Sequence, residues 1–551
     1  MAVSVRVAVA LVGLLAPLAA TLATLTGAPL GTLGVLGALA LIQLAAAIAR
    51  PSPGATRLGP PALLFLSIVG TSLAAVILAR QQVGLPAGAS PIGAGILAGG
   101  VALAWAMERI ARQDQRVLPA AVAGLFVGHA VASLLTLRAL LDTAGRAADP
   151  VAAFAHLLVT VRAHSQFDIN AAASSLVLVI LAAGGWAWQT RAYWVVAVMP
   201  LPLVGLWLTG GRITMVAMLV AAVGTAAFQS LRRGSGVSRR GVVTIGVVIT
   251  VVAVVAAALL QSTTRNIPVS ASVESRLLLW QTGGRMVADA PATGVGVGRF
   301  HELSADYGAG AIREALGTSR TRDNAHNYFV QIAAELGLVG LAGFLWLVTR
   351  IWPPPQQWRD LPVAQLWLCA GLIANGLTWL TSHPLLEPMG AFVFWMAAGV
   401  VASAGSAHTL HRSWRIATVV VALAIPLSVW WQAERLRDAE SLEHHGRGVS
   451  LWQPEVDGER YRVATAGASV FVPTGHTIML PVRIAPGGPT SASVAVLVEG
   501  VRINQVPVAV DRWTDIKLSI RPARRRFVEV HLDAPGQPTL WIGRAEAREM
   551  N

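Results

Sequence analysis

Apolar blocks recur along the chain, each about 17 to 25 residues long and set between charged or Pro/Gly-rich breaks. Each block can cross a hydrocarbon core of about 30 Å. Among 551 residues only 13% are charged, about half the share in soluble domains, which excludes a string of such domains. Thirteen candidate spans follow: 5–26, 29–49, 61–79, 91–107, 117–141, 171–188, 192–209, 212–231, 241–260, 326–349, 361–380, 388–405 and 416–432. The stretch 194–231 is too long for one span and is divided at Gly210-Gly211. The first block resembles a secretory signal, but Arg6 is its one basic residue and the next block follows closely, so an uncleaved helix is expected.

The net charge of +14 comes almost wholly from arginine, Lys517 being the only lysine. With a cytoplasmic N-terminus, the inner loops hold Arg50 and Arg57, then Arg109, Arg112 and Arg116, then Arg191. Later inner loops hold Arg232, Arg233, Arg239 and Arg240, then Arg350 and Arg359, then Arg412 and Arg415. The short outer loops hold few, such as Arg80 and Arg146, in keeping with the positive-inside rule. An odd number of spans then puts the C-terminus outside. The expected fold is mainly α, a polytopic membrane helical bundle of about thirteen transmembrane helices with N inside and C outside. One cysteine, Cys369, within an apolar block, excludes an intrachain disulfide and a thiolate metal cluster.

The expected organisation is 1–260, N-terminal transmembrane helices; 261–325, a large outer loop; 326–433, C-terminal transmembrane helices; and 445–551, a tail of different character. A shorter outer loop, 142–170, carries His156, Arg162, His164 and Asp168 and is expected to lie on the membrane surface. The tail has strand-like runs at 459–464, 467–473, 477–485, 491–499, 501–510, 513–520, 526–533 and 538–543, separated by turn residues. That rhythm predicts a C-terminal β-sandwich. The arginines 524–526 within it read as a solvated strand end.

The chemistry-bearing residues cluster in the long outer loop. It ends in Arg320-Thr-Arg322-Asp323-Asn324-Ala-His326-Asn327-Tyr328, where a helix is expected to begin at His326 with Asp323 or Asn324 as its cap. Free N–H groups and the dipole at a helix start favour anions, and an imidazole there can accept a proton. The ordinary alternative is an interfacial histidine beside a snorkelling arginine. Arg212, following two glycines, and Arg276, preceding Leu277–Trp280, each have an ordinary reading as a helix-end or solvated charge. Together with His326 they suit a pyrophosphate, because a guanidinium fork matches phosphate oxygens. Gly294-Val-Gly296-Val-Gly298 lacks the spacing of a dinucleotide loop and reads as a tight turn. Glu335 reads as an interhelical partner, and His383 to Glu387 as a structural turn. No histidine spacing suggests a metal site, and no nucleophile elbow is present.

Gly294 to Phe300, Asn324 to Tyr328, and Ala334-Glu335-Leu-Gly337-Leu-Val-Gly340 together resemble the signature of the O-antigen ligase and Wzy-type polymerase family. Leu208 to Arg212 resembles the family's small-residue–arginine helix start, although Gly-Gly precedes the arginine where serine is commoner. Ser275 to Trp280 is similar to its arginine–aromatic segment, and Ser382 through Trp395 to its late helices. The resemblance implies a metal-independent membrane glycosyltransferase without a cofactor, in the bacterial inner membrane with its site towards the periplasm. It would move a glycan from undecaprenyl pyrophosphate to an acceptor hydroxyl on a glycan, lipid or protein. Carried over, Arg212 and Arg276 are the pyrophosphate-binding, catalytic arginines and His326 assists the hydroxyl, with Arg322 and Asn327 as further substrate-binding residues. The tail resembles accessory carbohydrate-facing domains of some relatives. Repeat-unit polymerisation is the alternative within the family. A flippase for lipid-linked sugars is a further alternative, but it should line a central path with ionisable groups. No nucleic-acid partner is expected.

Overall fold

A computed structural model describes residues 2–26, 56–82, 88–160, 168–232, 269–304, 307, 323–405, 412–436, 447–456, 459–474, 476–521, 527–536 and 538–549. The expected spans 29–49 and 241–260, together with Arg320, Arg322 and the arginines 524–526, lie outside these residues.

The described chain is mainly helical and closes with a β region. The helices are α1 Ala2–Thr26, α2 Gly59–Gln82, α3 Ser90–Gln113, α4 Val117–Ala144, α5 Pro150–Thr160, α6 Ile169–Thr190, α7 Tyr193–Val198, α8 Pro200–Thr209 and α9 Arg212–Arg232. They continue as α10 Val269–Asp289, α11 Phe300–Leu303, α12 Tyr328–Ile351, α13 Val363–Thr378, α14 Pro388–Ala404, α15 Arg412–Ala424 and α16 Val429–Leu436. Seven helical stretches among the described residues are long and apolar enough to cross a membrane: α2, α3, α4, α6, α9, α12 with its 3₁₀ extension, and the joined α15–α16. Four more expected spans are apolar helices too: α1, the 193–209 stretch of α7 and α8, α13 and α14. Proline shapes one of these directly. Pro200 divides the expected 192–209 span into α7 and α8, because it brings no N–H to the ladder. Pro362 stands just before α13, and Pro388 takes the first position of α14, where its missing N–H costs nothing.

Small residues let the helices approach closely, as expected where lipid offers no hydrophobic drive between them. A Cβ on Gly124 of α4 would sit 2.2 Å from the carbonyl oxygen of Ala10 in α1. One on Gly399 of α14 would sit 2.3 Å from that of Ala104 in α3. The central helix α6 packs against α4, α8, α13 and α14.

Polar contacts gather at two opposite ends of the bundle. At one end Arg6 pairs with Asp114, Glu108 accepts from the backbone N–H of Arg57 and Leu58, and Arg112 bridges Glu108 to the Gly405 carbonyl. At the other, Arg80 pairs with Glu302, Arg435 donates to the Asp289 carbonyl, and the Tyr328 N–H donates to the Trp379 carbonyl. The segment after α4 forms the largely exposed helix α5, joined to α8 by a hydrogen bond from Trp207 to the Leu158 carbonyl.

Nine strands follow: β1 Arg447–Val456, β2 Glu459–Pro473, β3 His476–Ile484, β4 Ser491–Val498, β5 Val501–Ala509, β6 Thr514–Ser519, β7 Phe527–Asp533, β8 Leu540–Gly543 and β9 Glu546–Glu549. They bond in one path, β5-β4-β7-β2-β8-β3-β6, with β1 on β2 and β9 on β3. The two runs expected at 459–464 and 467–473 are one long strand. Its first half pairs with β8 and its second with β7, so all strands belong to one bonded sheet enclosing a core that includes Val472, Leu480, Val496, Leu518, Val530 and Ile542. An aromatic pair, Tyr461 on Trp541 at 4.1 Å, and Arg483 over Trp541 brace β2, β8 and β3 side by side.

Candidate active site at one end of the bundle

The turn that carries His326 is built by α12. Asn327 caps that helix, its Oδ1 accepting from the N–H groups of Phe329 and Val330. This corrects the expected cap at Asp323 or Asn324 and the expected start at His326, because the helix begins at Tyr328. His326 stands outside it with φ 47°, a left-handed conformation that costs a non-glycine residue about 1 kcal/mol or more. The surroundings impose it. The Ala325 N–H donates to Gln331 Oε1 at 2.9 Å, and Asn327 Nδ2 donates to the Leu380 carbonyl.

Around that turn several titratable groups converge. His326 Nε2 is 3.3 Å from Asp323 Oδ2, and the His326 ring meets the His383 ring edge-on at 4.8 Å between centroids. His383 is buried and its Nδ1 has no hydrogen-bond partner among the described residues. Burial first, then the charge of His326, pushes His383 down to about 4, against the pull of Asp168 and Asp323. Burial works to raise the Asp323 carboxyl, but the bond to His326 and its charge outweigh this and hold it below the usual range. Burial, and then Asp168, pushes Glu387 up to about 7. Asp168 itself caps α6 through the N–H groups of Asn170 and Ala171. At neutral pH this arrangement sets an ionised Asp323 and a neutral His383 on either side of His326.

The glycine loop before α11 has a structural role. Gly294 donates to the Ala290 carbonyl, Val295 to Ala334, and Gly296 to Glu335, while Val297 donates to Ser72 Oγ. Gly298 and Phe300 donate to the two carboxylate oxygens of Glu335. These N–H groups are therefore spent inside the protein, and none of them is left to cradle a phosphate. Glu335 is the anchor of this loop, which corrects its reading as an interhelical partner. Gln331 Nε2 also donates to Glu335 at 2.7 Å, so the glycine loop and the His326 turn hang from one network. Gly337, at φ 70°, breaks α12 where the loop docks, and the Leu338 N–H reaches the Pro291 carbonyl.

Arg212 opens α9 directly after Gly211; Gly210 before it has φ 59°, and Gly211 lies against Ala173 in the first turns of α6. That puts Arg212 at the same end as Asp168 and His383. Arg276 lies on α10, which packs against α12, and burial lowers its guanidinium. No hydrogen bond among the described residues joins either arginine to His326. Arg322 lies outside the described residues, and Asn327 spends its side chain on the cap and on Leu380. Sequence reasoning underrated His383, whose place beside His326 depends on the packing of segments more than fifty residues apart, and Glu387, which feels the charge of Asp168. Among the described residues no three His, Cys, Asp or Glu side chains gather to hold a metal ion.

Residues 196–345 match the family model described as O-antigen ligase. The match takes in Arg212, Arg276 and His326. No curated protein matches the chain.

Proposed function

From the premise that the chain carries an O-antigen ligase family domain at residues 196–345, and so a function of the ligase or polymerase type, we propose that it transfers a glycan from an undecaprenyl-pyrophosphate carrier to an acceptor hydroxyl. The observation that supports this most is the constrained turn holding His326 against Asp323 and His383 inside that domain. Asp323 orients the imidazole through Nε2, leaving Nδ1 to take the acceptor's proton. The hydroxyl oxygen forms the new bond to the anomeric carbon. The bond from that carbon to the pyrophosphate oxygen breaks and the electron pair leaves with the pyrophosphate. Arg212 and Arg276 receive that charge, and Arg322 is a further substrate-binding residue in this reading, so the transfer needs no metal and should persist in chelator. Asn327 holds the turn.

In this reading the chain has thirteen spans with N inside and C outside. The spans at 1–260 and 326–433 flank the loop 261–325, and the domain at 445–551 faces the periplasm of a bacterial inner membrane. Transport is the weaker reading, because the charged groups near His326 gather at one end of the bundle rather than along a central path. The test is to replace His326 by alanine in the native host and size the lipid-linked glycans beside wild type and a deletion strain. Long chains held on the carrier identify a ligase, and accumulated single repeats identify a polymerase. Normal finished glycan from the variant, when the deletion lacks it, overturns the proposal.

A further inference from the structure

At the bundle end away from His326, the last turn of α12 and the proline-rich segment after it border an open cleft of about 760 Å³. Its lining includes Arg57, Phe228, Arg350, Trp352 and Trp358, with Pro353 to Pro355 along one side. The two tryptophans stack at 6.3 Å, and Trp358 Nε1 donates to the Pro353 carbonyl. The three prolines offer no N–H, so binding power for an anion in this wall must come from the arginines.

Arg57 is only 5% exposed. One terminal nitrogen, Nη2, donates to the Trp352 carbonyl, but Nε and Nη1 have no hydrogen-bond partner among the described residues. A buried guanidinium with unused donors is costly. The carboxylate that faces it, Glu108, is already bonded by Arg112 and by two backbone N–H groups. Burial and then the charge of Arg350 lower the Arg57 guanidinium to about 10, against the pull of Glu108, so two cations bear on this corner.

We propose that this cleft binds the phosphate of an anionic phospholipid headgroup, with Arg57 and Arg350 as the two donors and the tryptophan pair as its interfacial wall. A free phosphate would satisfy the same donors. The lipid is favoured by position, because the cleft opens between the ends of two apolar helices, α9 and α12, where headgroups lie. The inference depends on membrane embedding and is independent of glycan transfer.

The test measures thermal unfolding of the purified full chain in neutral detergent while titrating short-chain phosphatidylglycerol, phosphatidylcholine or inorganic phosphate. Phosphatidylglycerol should raise the midpoint progressively with concentration, and phosphatidylcholine should not. Arg57→Gln should weaken the apparent affinity by about tenfold or more. Arg350→Gln, which leaves the buried residue in place, should shift it the same way, and it decides the matter if the first variant does not fold. Equal stabilisation by phosphatidylcholine, unchanged affinity in a folded variant, or an equal effect of inorganic phosphate each overturns the lipid assignment.

Discussion

His326 occupies a left-handed turn that would be cheaper as glycine or asparagine, so a histidine in this place points to chemistry rather than to backbone preference. If Asp323 fixes its tautomer, Asp323→Asn should lower turnover by roughly 10- to 100-fold while the donor KM changes little. Initial rates across donor concentration measure this, and a change confined to KM would make Asp323 a binding residue. The neighbours carry opposite pH dependences. Glu387, raised to about 7 by burial and Asp168, holds its proton more tightly folded than unfolded. Its contribution to stability is complete below its ordinary value of 4.5 and is lost as pH rises through about 7. His383, lowered from 6.5 to about 4, contributes fully above pH 6.5 and loses that contribution as pH falls towards 4. Melting midpoints of Glu387→Gln between pH 5 and 8 should therefore fall less on the alkaline side than those of wild type. Parallel profiles would remove Glu387 from this account. His326 and the arginines could be singled out as candidates from residue type and local context alone. His383 was not legible in that way, because its meaning is a ring contact across segments far apart in the chain.

At the level of elements, the docking of the glycine loop into the break in α12 depends on two residues without side chains. A Cβ on Gly294 would lie 2.4 Å from the Glu335 carbonyl carbon, and one on Gly337 would lie 2.3 Å from that of Ala292. Both glycines have φ near 70°, so alanine at either meets backbone on one side and a strained conformation on the other. Each substitution should cost at least about 1–3 kcal/mol, read as a lowered melting midpoint and as lost activity, since the same network holds the His326 turn. Gly284, within α10, has nothing within 4 Å of the place its Cβ would take, and Gly284→Ala should be neutral or slightly stabilising. If all three variants melt together, the loop is not a fixed part of the fold. The sequence showed that this loop was no nucleotide site, from its spacing. It did not show that Glu335 holds the loop, because a position along a helix says which face a side chain takes and nothing about which loop will reach it. The break at Pro200 was legible in principle, since a proline without an N–H stood inside the expected span.

The whole molecule poses one question that separate elements do not, namely which side of the membrane each end faces. The arginine distribution was legible from sequence because it is a property of loops and needs no packing. The bundle adds that Asp323, His326 and His383 meet at one end, while Arg57, Glu108, Arg112 and Trp352 meet at the other. Between Gln356, exposed in the 3₁₀ turn after α12, and Val501 at the start of β5 lie three apolar stretches: α13, α14 and the joined α15–α16. Three crossings put these two residues on opposite sides. The native Cys369 is 1% exposed, so it should contribute little background to a thiol label, whereas Val501 is 66% exposed. Cells carrying Val501→Cys, with the outer envelope permeabilised and the inner membrane intact, should therefore react with a membrane-impermeant maleimide. Gln356→Cys should react only after the inner membrane is opened. Reaction of both from the same side would mean that an even number of the three stretches crosses, and the short helices α13 and α14 would be the first to lose their place as spans. Reaction of Gln356→Cys alone from outside would invert the molecule, turning His326 and the β domain towards the cytoplasm and removing the proposed periplasmic acceptor from reach.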